Sequence, residues 1–419
     1  MKGSLRLLIV LSFGILFTVA IFLSQCSEDA SQKPDVRGEA YANESTCANC
    51  HKNINNSYVH TAHFNTSSPI MGNKLSAEAI AASHTFIFND NLKVNVEKRS
   101  DGLYQVAYVS NKPVKAERFD IAFGANVKAQ TYGYWKGSAL NQLPLSYFKI
   151  INNWANSPGF PANGVYFERP IITRCFECHG SYVEKKFVQN GAMSVSEEFN
   201  KNSMIYGIDC QRCHGPAAQH VKFQMANPQA KTAKYIVAYS SLSKQLKVNM
   251  CAVCHNGNDI KTIRSTFGYK PGDDLASFYE PFERSNTPDV HGNQADLLAM
   301  SKCYINSTNL TCTTCHDVHQ QEKHDPLISS QKCLECHKTE NHNFCKMAPK
   351  LGNAITGKCI DCHMPAMPSK LISFQMSAQN QNSPYLLHTH KIAVYPEQTQ
   401  QILSLLNTIK KSDQTRHKL

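Results

Sequence analysis

The chain reads as mainly α and irregular with a small antiparallel β insertion, and three observations predict this. A Cys-x-x-Cys-His motif recurs seven times, one block between residues 84 and 150 alternates with period two, and the rest is short helical stretches joined by Gly- and Pro-bearing loops. The 419 residues suffice for two or three ordinary domains. Charged residues make up 18% and aromatic residues 9%, whereas 17 Cys and 18 His are unusually many. Something other than aliphatic burial must help to hold such a chain, and those two residue types point to metal.

The motif stands at Cys47-Cys50-His51, Cys175-Cys178-His179, Cys210-Cys213-His214, Cys251-Cys254-His255, Cys312-Cys315-His316, Cys333-Cys336-His337 and Cys359-Cys362-His363. Two thiols separated by two residues reach the two vinyl groups of one haem, and the adjacent imidazole meets the iron from the same side. Disulfides, thioredoxin-like pairs and four-cysteine zinc sites use the same Cys spacing, but none requires a following His. Seven independent pairs all followed by His would arise by chance roughly once in a few billion. The fold class is therefore a multihaem cytochrome c organised around seven covalent haems c. Packing against porphyrin faces substitutes for missing aliphatic core, so the apoprotein is expected to fold poorly.

Three Cys lie outside the motifs: Cys26, Cys303 and Cys345. The last two form either a disulfide or buried thiols. Eleven His remain after the proximal seven, namely His60, His63, His84, His220, His291, His319, His324, His342, His388, His390 and His417. They are enough for bis-His coordination of every iron, which generally gives lower potentials than His/Met ligation.

Residues 1–25 fit an export signal or membrane anchor, with Lys2 and Arg6 before an apolar run from Leu7 to Leu23. Leu23-Ser24-Gln25-Cys26 resembles a bacterial lipobox, in which Cys26 takes a lipid; alternatively the run stays as an uncleaved anchor, marginally long for a bilayer. The protein is then exported, periplasmic or at the cell surface, and residues 26–45 form a flexible tether. The net charge of +11 would suggest an anionic partner if the polypeptide were the whole molecule. Two propionates per haem and the iron charge bring it to roughly +4 oxidised and −3 reduced. Nucleic acid is not inferred as a partner.

Residues 46–83 form a first haem segment, where His51, Ile54, Tyr58 and Ala62 have helical spacing. Residues 84–170 are the β-rich insertion. Phe86-Ile87-Phe88 and Leu92 to Val96 alternate, Ser100-Asp101-Gly102 is a hairpin turn before Leu103 to Val109, and Gln130 to Trp135 with Gln142 to Phe148 form another hairpin around Lys136-Gly137-Ser138. Residues 171–395 hold six of the seven motifs, and residues 396–419 a C-terminal helix and tail opened by Pro396.

Several stretches resemble the multihaem c-type cytochromes related to the tetrahaem cytochrome of ammonia oxidisers and, more remotely, hydroxylamine oxidoreductase. They are Cys47 to His63 with Thr61-Ala62-His63, Gln130-Thr131-Tyr132 with Leu143-Pro144-Leu145-Ser146-Tyr147, Cys210 to His220 with Gly215-Pro216, His291-Gly292, Cys312 to His319, Cys359 to Pro365, and His390-Lys391-Ile392. The resemblance covers about residues 44–395. It implies closely stacked haem pairs and favours His63, His220, His291, His319 and His390 as distal iron ligands; His84 and His342 are added, with His60, His324 and His388 in reserve.

The resulting reading is electron transfer between membrane or periplasmic redox proteins, a quinol-linked membrane complex among the candidate partners, through a chain of mostly bis-His haems. The alternative is a reductase or oxidase of a small nitrogen or sulfur compound at one five-coordinate haem. An electron carrier is favoured over an enzyme, and no catalytic residue is assigned.

Overall fold

Alternation after His84 builds a four-stranded antiparallel sheet in which Thr85–Asn89, Leu92–Arg99, Gly102–Val109 and Lys112–Arg118 lie side by side in chain order. The computed structural model describes residues 34–416 apart from 71–74, 258–259, 282–284, 324, 339, 341–343 and 356. The export run, Cys26, His324, His342 and His417 lie outside the described residues. Arg99 pairs with Gly102 across the expected turn, and Val109 pairs with Lys112 across Ser110-Asn111. Those two residues have φ of 50° and 64°, the positive values that a two-residue turn needs to match strand twist.

A second, nine-stranded antiparallel sheet runs Ser67–Pro69, Ile121–Phe123, Ala129–Lys136, Leu145–Phe148, Asn153–Asn156, Ala366–Gln375 and Asn382–His388, with Ala139–Gln142 and Arg169–Pro170 as a side path. The hairpin at Lys136-Gly137-Ser138 closes with Lys136 opposite Ala139. Its return strand breaks at Leu143-Pro144, because Pro144 has no N–H to give the ladder, and resumes with Gln130 opposite Tyr147. Two short pairs, Gly180–Tyr182 with Ile205–Tyr206 and Lys185–Gln189 with Val195–Phe199, complete the sheets.

The four-stranded sheet faces the larger one across an aromatic core containing Phe86, Phe88, Phe119, Tyr132, Tyr134, Tyr147 and Trp154. Gln105 is fully buried between them, its amide donating to Leu145 O and accepting from Leu145 N–H, both at 2.8 Å. Both polar ends of that side chain are thus satisfied.

The expected fold class is corrected here. The chain is about 32% helix and 25% strand, with large antiparallel sheets, so it is neither mainly α nor a small β insertion in an irregular body. The strands that sequence reading missed are Ala366–Gln375 and Asn382–His388, each carrying a proline. Pro384 sits in the outermost strand of the sheet, where a missing N–H costs no interior ladder bond, and a register shift separates Pro368 from Ser373. Gln375 opposite Asn156 joins this distant hairpin to the sheet, while Phe374 and Tyr385 pack on Phe148. The haem motifs therefore lie on helices attached to a β framework: Phe176, within the second motif, packs edge-on to Phe123 of the large sheet at 5.2 Å.

Candidate functional site

Each motif occupies about one helical turn, which sets its chemistry. Residues three and four apart lie on one helix face, so both thiols and the imidazole of Cys-x-x-Cys-His project together. The closing hydrogen bonds are present where His51 N–H donates to Cys47 O at 2.8 Å, His316 N–H to Cys312 O at 3.0 Å and His337 N–H to Cys333 O at 2.9 Å. Local caps start these turns. Asp209 accepts from Arg212 N–H before Cys210–His214, Ser243 accepts from Leu246 N–H before Lys244–His255, and Asp325 accepts from Leu327 N–H before Pro326–Leu334.

Three of the distal candidates face proximal histidines. His63 and His255 have ring centroids 6.1 Å apart, His319 and His214 6.0 Å, and His390 and His316 6.1 Å. Two imidazoles bonded to one iron from opposite sides stand about 6 Å apart, given an iron–nitrogen bond of about 2 Å on each side. These pairs therefore fit axial coordination of a haem iron. The rings of His214 and His319 are nearly parallel at 9° and those of His316 and His390 lie at 24°, whereas His63 and His255 are almost perpendicular at 87°.

The other ring nitrogen is often held as well. His179 Nδ1 is hydrogen-bonded to Thr66 Oγ1 at 2.8 Å, His316 Nδ1 to Glu322 Oε1 at 2.8 Å, and His363 Nδ1 to Ala393 O at 2.8 Å. A ligand imidazole is oriented in this way, with Nε2 left for metal and its basicity raised by the acceptor. His220 and His388 carry the same mark, with Nδ1 2.9 Å from Lys234 O and 2.6 Å from Met364 O. The carboxylate of Glu322 raises the pKa of His316, whereas burial holds His255 and His390 down to about 4 and lowers those of His63, His179, His214 and His291. Neutral imidazole is the form that binds metal. His63 and His255 keep accessible surface although protein surrounds them on most sides.

His291 lies within electrostatic reach of His179. Asp289 accepts from His291 N–H at 2.8 Å, from Ser369 Oγ at 2.8 Å and from Lys370 N–H at 2.6 Å, which ties this histidine to the strand Ala366–Gln375. His220 rides on the helix Ala218–Ala226, whose first N–H donates to Ala40 O at 3.1 Å, and Gln211 bridges Ala42 to Ala217 beside it. That docks His220 next to the segment leading into the first motif. His84 and His60 are exposed, and His84, just ahead of Thr85–Asn89, has no ring contact with another histidine among the described residues. His342 falls outside the described residues. Cys303 and Cys345 are free thiols, Cys303 near Cys315 and Cys333, Cys345 near Cys362.

Sequence reasoning left the order of the motifs in space open. Thiols of different motifs are neighbours: Cys47 stands beside Cys210, Cys178 beside Cys254, Cys251 beside Cys312 and Cys333 beside Cys359, and Cys315 lies near Cys333. Cys213 lies near Cys254 as well. The motifs are thus contiguous in the order first, third, fourth, fifth, sixth, seventh, with the second attached at the fourth. His255, in the fourth, has His63, His390, His179 and His316 as electrostatic neighbours and stands at the middle. No group of three or more His, Cys, Asp or Glu side chains among the described residues stands where one ion could be held.

Comparison with known proteins adds likenesses in sequence and in fold. No family model matches the chain. Over 202 residues it is 25% identical to the multiheme cytochrome MtrA of Shewanella baltica (strain OS185), covering 47% of this chain and 54% of that protein. The chain thus spans about half the length of this curated relative. Its fold is similar to that of the outer cell wall cytochrome OcwA, with a TM-score of 0.51 and 15% identity over 86% of this chain and 81% of the other. Together these likenesses support a multihaem c-type cytochrome with covalently bound haem. Neither of these two matches is the tetrahaem cytochrome of ammonia oxidisers or hydroxylamine oxidoreductase, so the sequence resemblance stands at the level of the broader multihaem class.

Proposed function

We propose that the chain carries seven haems c, one at each Cys-x-x-Cys-His motif, and conducts electrons between extracytoplasmic redox proteins. The observation that supports this reading is the succession of neighbouring thiols from motif to motif, which would set each cofactor near the next. The haem irons would supply the one-electron chemistry, and the protein contributes position, ligands and local polarity. His63, His319, His390 and His291 would serve as distal ligands to the irons held by His255, His214, His316 and His179. His220 suits the iron of His51, because its helix docks on Ala40. His388, at the end of Asn382–His388, is a further ligand candidate, since its Nδ1 is hydrogen-bonded to Met364 O.

The path is branched in this reading. Electrons pass along the first, third, fourth, fifth, sixth and seventh sites, and the second forms a side arm at the fourth. Export suits such a carrier, and the outer cell wall named for OcwA agrees with an extracytoplasmic role; within the expected tether of residues 26–45, Arg37 and Ala42 are held on the body by Asp209 and Gln211. Among the described residues no helix is long and apolar enough to cross a membrane, so attachment by lipid at Cys26 or by the apolar segment from Leu7 rests on the sequence.

Mass analysis of the matured chain together with resonance spectroscopy tests the reading. The expected result is seven added haems and low-spin irons, with one highly anisotropic signal from the perpendicular pair His63 and His255. In His63→Met that signal disappears and the iron is easier to reduce, by about tenfold or more in the equilibrium constant, because thioether favours reduced iron. Fewer than seven haems rejects the count, and a high-spin iron open to small ligands returns the enzyme alternative.

A further inference from the structure

From Cys210 to Asn258 the chain has no Asp or Glu, yet besides the buried Arg212 it carries Lys222, Lys231, Lys234, Lys244 and Lys247. Lys244 is turned inward and donates to the carbonyls of Tyr304 and Ser307. Lys222, Lys231 and Lys234 are exposed, and among the described residues none of the three is in an ion pair. They lie on one excursion, residues 218–238, in which no residue is buried.

The excursion is the helix Ala218–Ala226 and a loop folded back on it. His220 Nδ1 is hydrogen-bonded to Lys234 O at 2.9 Å, Gln224 Nε2 donates to Thr232 O at 3.3 Å, and the Tyr235 and Phe223 ring centroids are 5.8 Å apart. Met225, Tyr235 and Val237 nevertheless stay 72%, 61% and 39% exposed. Lysines interspersed with exposed apolar side chains and a tyrosine suit a lipid headgroup layer: ammonium groups on long stems reach phosphates while the apolar parts enter the acyl boundary.

Position favours a bilayer over an acidic protein. Ala218 N–H donates to Ala40 O at 3.1 Å, so the helix starts on the N-terminal segment. That segment is fixed to the body, because Arg37, its side chain 4% exposed, pairs with Asp209 at 2.6 Å and Asp35 at 2.8 Å. The segment itself carries Glu39 and Glu44, so the basic surface is the excursion and not the tether. Arg37 follows Cys26 by eleven residues, which span at most about 40 Å when fully extended. A compact body of about 380 residues has a radius of gyration of about 21 Å and is about 55 Å across. With the anchor in a bilayer, the side bearing Arg37 and Ala218 can rest on lipid and the opposite side cannot.

We propose that residues 218–238 dock on the surface of an anionic lipid bilayer, which seats the protein with the first motif, the next element after the docked segment, on its membrane side. This rests on the exported, anchored reading above. Each lysine close to an anionic surface adds about fivefold in affinity, so the three together contribute on the order of 100-fold.

The test uses the fully matured chain, as wild type and as K222Q/K231Q/K234Q, in uncharged detergent, in phosphatidylcholine vesicles and in vesicles with added phosphatidylglycerol. Flotation reports anchoring, and hydroxyl-radical oxidation reads Tyr235 against Met193, which is 98% exposed between the strands Lys185–Gln189 and Val195–Phe199. On anionic vesicles Tyr235 oxidation should fall about fivefold or more relative to Met193, and should recover in the triple variant and at about 1 M salt, where the screening length is about 3 Å. Protection that survives both changes overturns the proposal. So does unchanged oxidation of Tyr235, which leaves the excursion for an acidic protein. A chain that does not float with phosphatidylcholine vesicles fails the anchored reading instead, and flotation with anionic vesicles then decides the docking surface. It should weaken on the order of 100-fold in the triple variant, and its absence in wild type overturns the proposal.

Discussion

Residues 85–156 bury Phe86, Phe88, Tyr132, Tyr134, Tyr147 and Trp154 in one aromatic core, whereas between residues 302 and 364 Ile355 is the one apolar side chain buried among the described residues. Both regions are ordered in the same molecule, but by different means. Each fully buried large apolar side chain contributes about 1.5–3 kcal/mol, and ordering a residue costs about 1.5 kcal/mol. The sheets offset that cost with protein alone. The segment holding the fifth, sixth and seventh motifs has almost nothing apolar of its own to bury, and in the proposed reading porphyrin faces would supply its core. The expectation that the apoprotein folds poorly is thus sharpest for residues 302–364 and weakest for the aromatic sandwich.

The strongest way to break this contrast is to withhold maturation. In chain lacking haem, residues 302–364 should exchange amide hydrogen at nearly unprotected rates and be cut by protease, while residues 85–156 keep protection; equal protection in both would dissolve the distinction. A substitution in the protein-only core comes next. Phe119→Ala removes a buried ring that touches Tyr132 and Trp154 edge-on, and should cost about 3–5 kcal/mol of sandwich stability by denaturant unfolding, with haem absorption unaltered in native conditions. A parallel loss of haem signal would mean that the two regions unfold as one unit. The smallest effect sharpens the picture on the haem side: Glu322→Gln weakens the acceptor at His316 Nδ1, and one centre should become about threefold easier to reduce. Glu322 is half exposed, so the full charge effect is screened and a larger shift is not expected.

Legibility followed the length scale of the signal. The motif turns were readable because their chemistry lies within five residues, and the hairpins at Ser100-Asp101 and Gly137-Ser138 were readable because their turn residues and alternation are local. The Ala366–Gln375 and Asn382–His388 hairpin was not: Pro368 and Pro384 argue against strands, and an edge position that tolerates them is visible only once the sheet exists. Helical content was overestimated for the same reason. His63, His319 and His390 are legible in the sequence as candidates, but which proximal histidine each one faces is not, and the same holds for Glu322 and Thr66 behind their imidazoles. His388 sat in reserve until Met364 O was seen to hold its ring.

By itself the sequence determined what chemistry the chain can carry, since thiol spacing and an adjacent imidazole are covalent facts that no packing can alter. Only the tertiary structure decided the order in which the motifs touch, placing the second as a branch at the fourth and setting Arg212 where three of them meet. Contact order in space depends on how a β framework turns remote segments toward each other, and the Glu177 carbonyl shared by Arg212 and Cys254, 35 and 77 positions away, leaves no trace in local pattern.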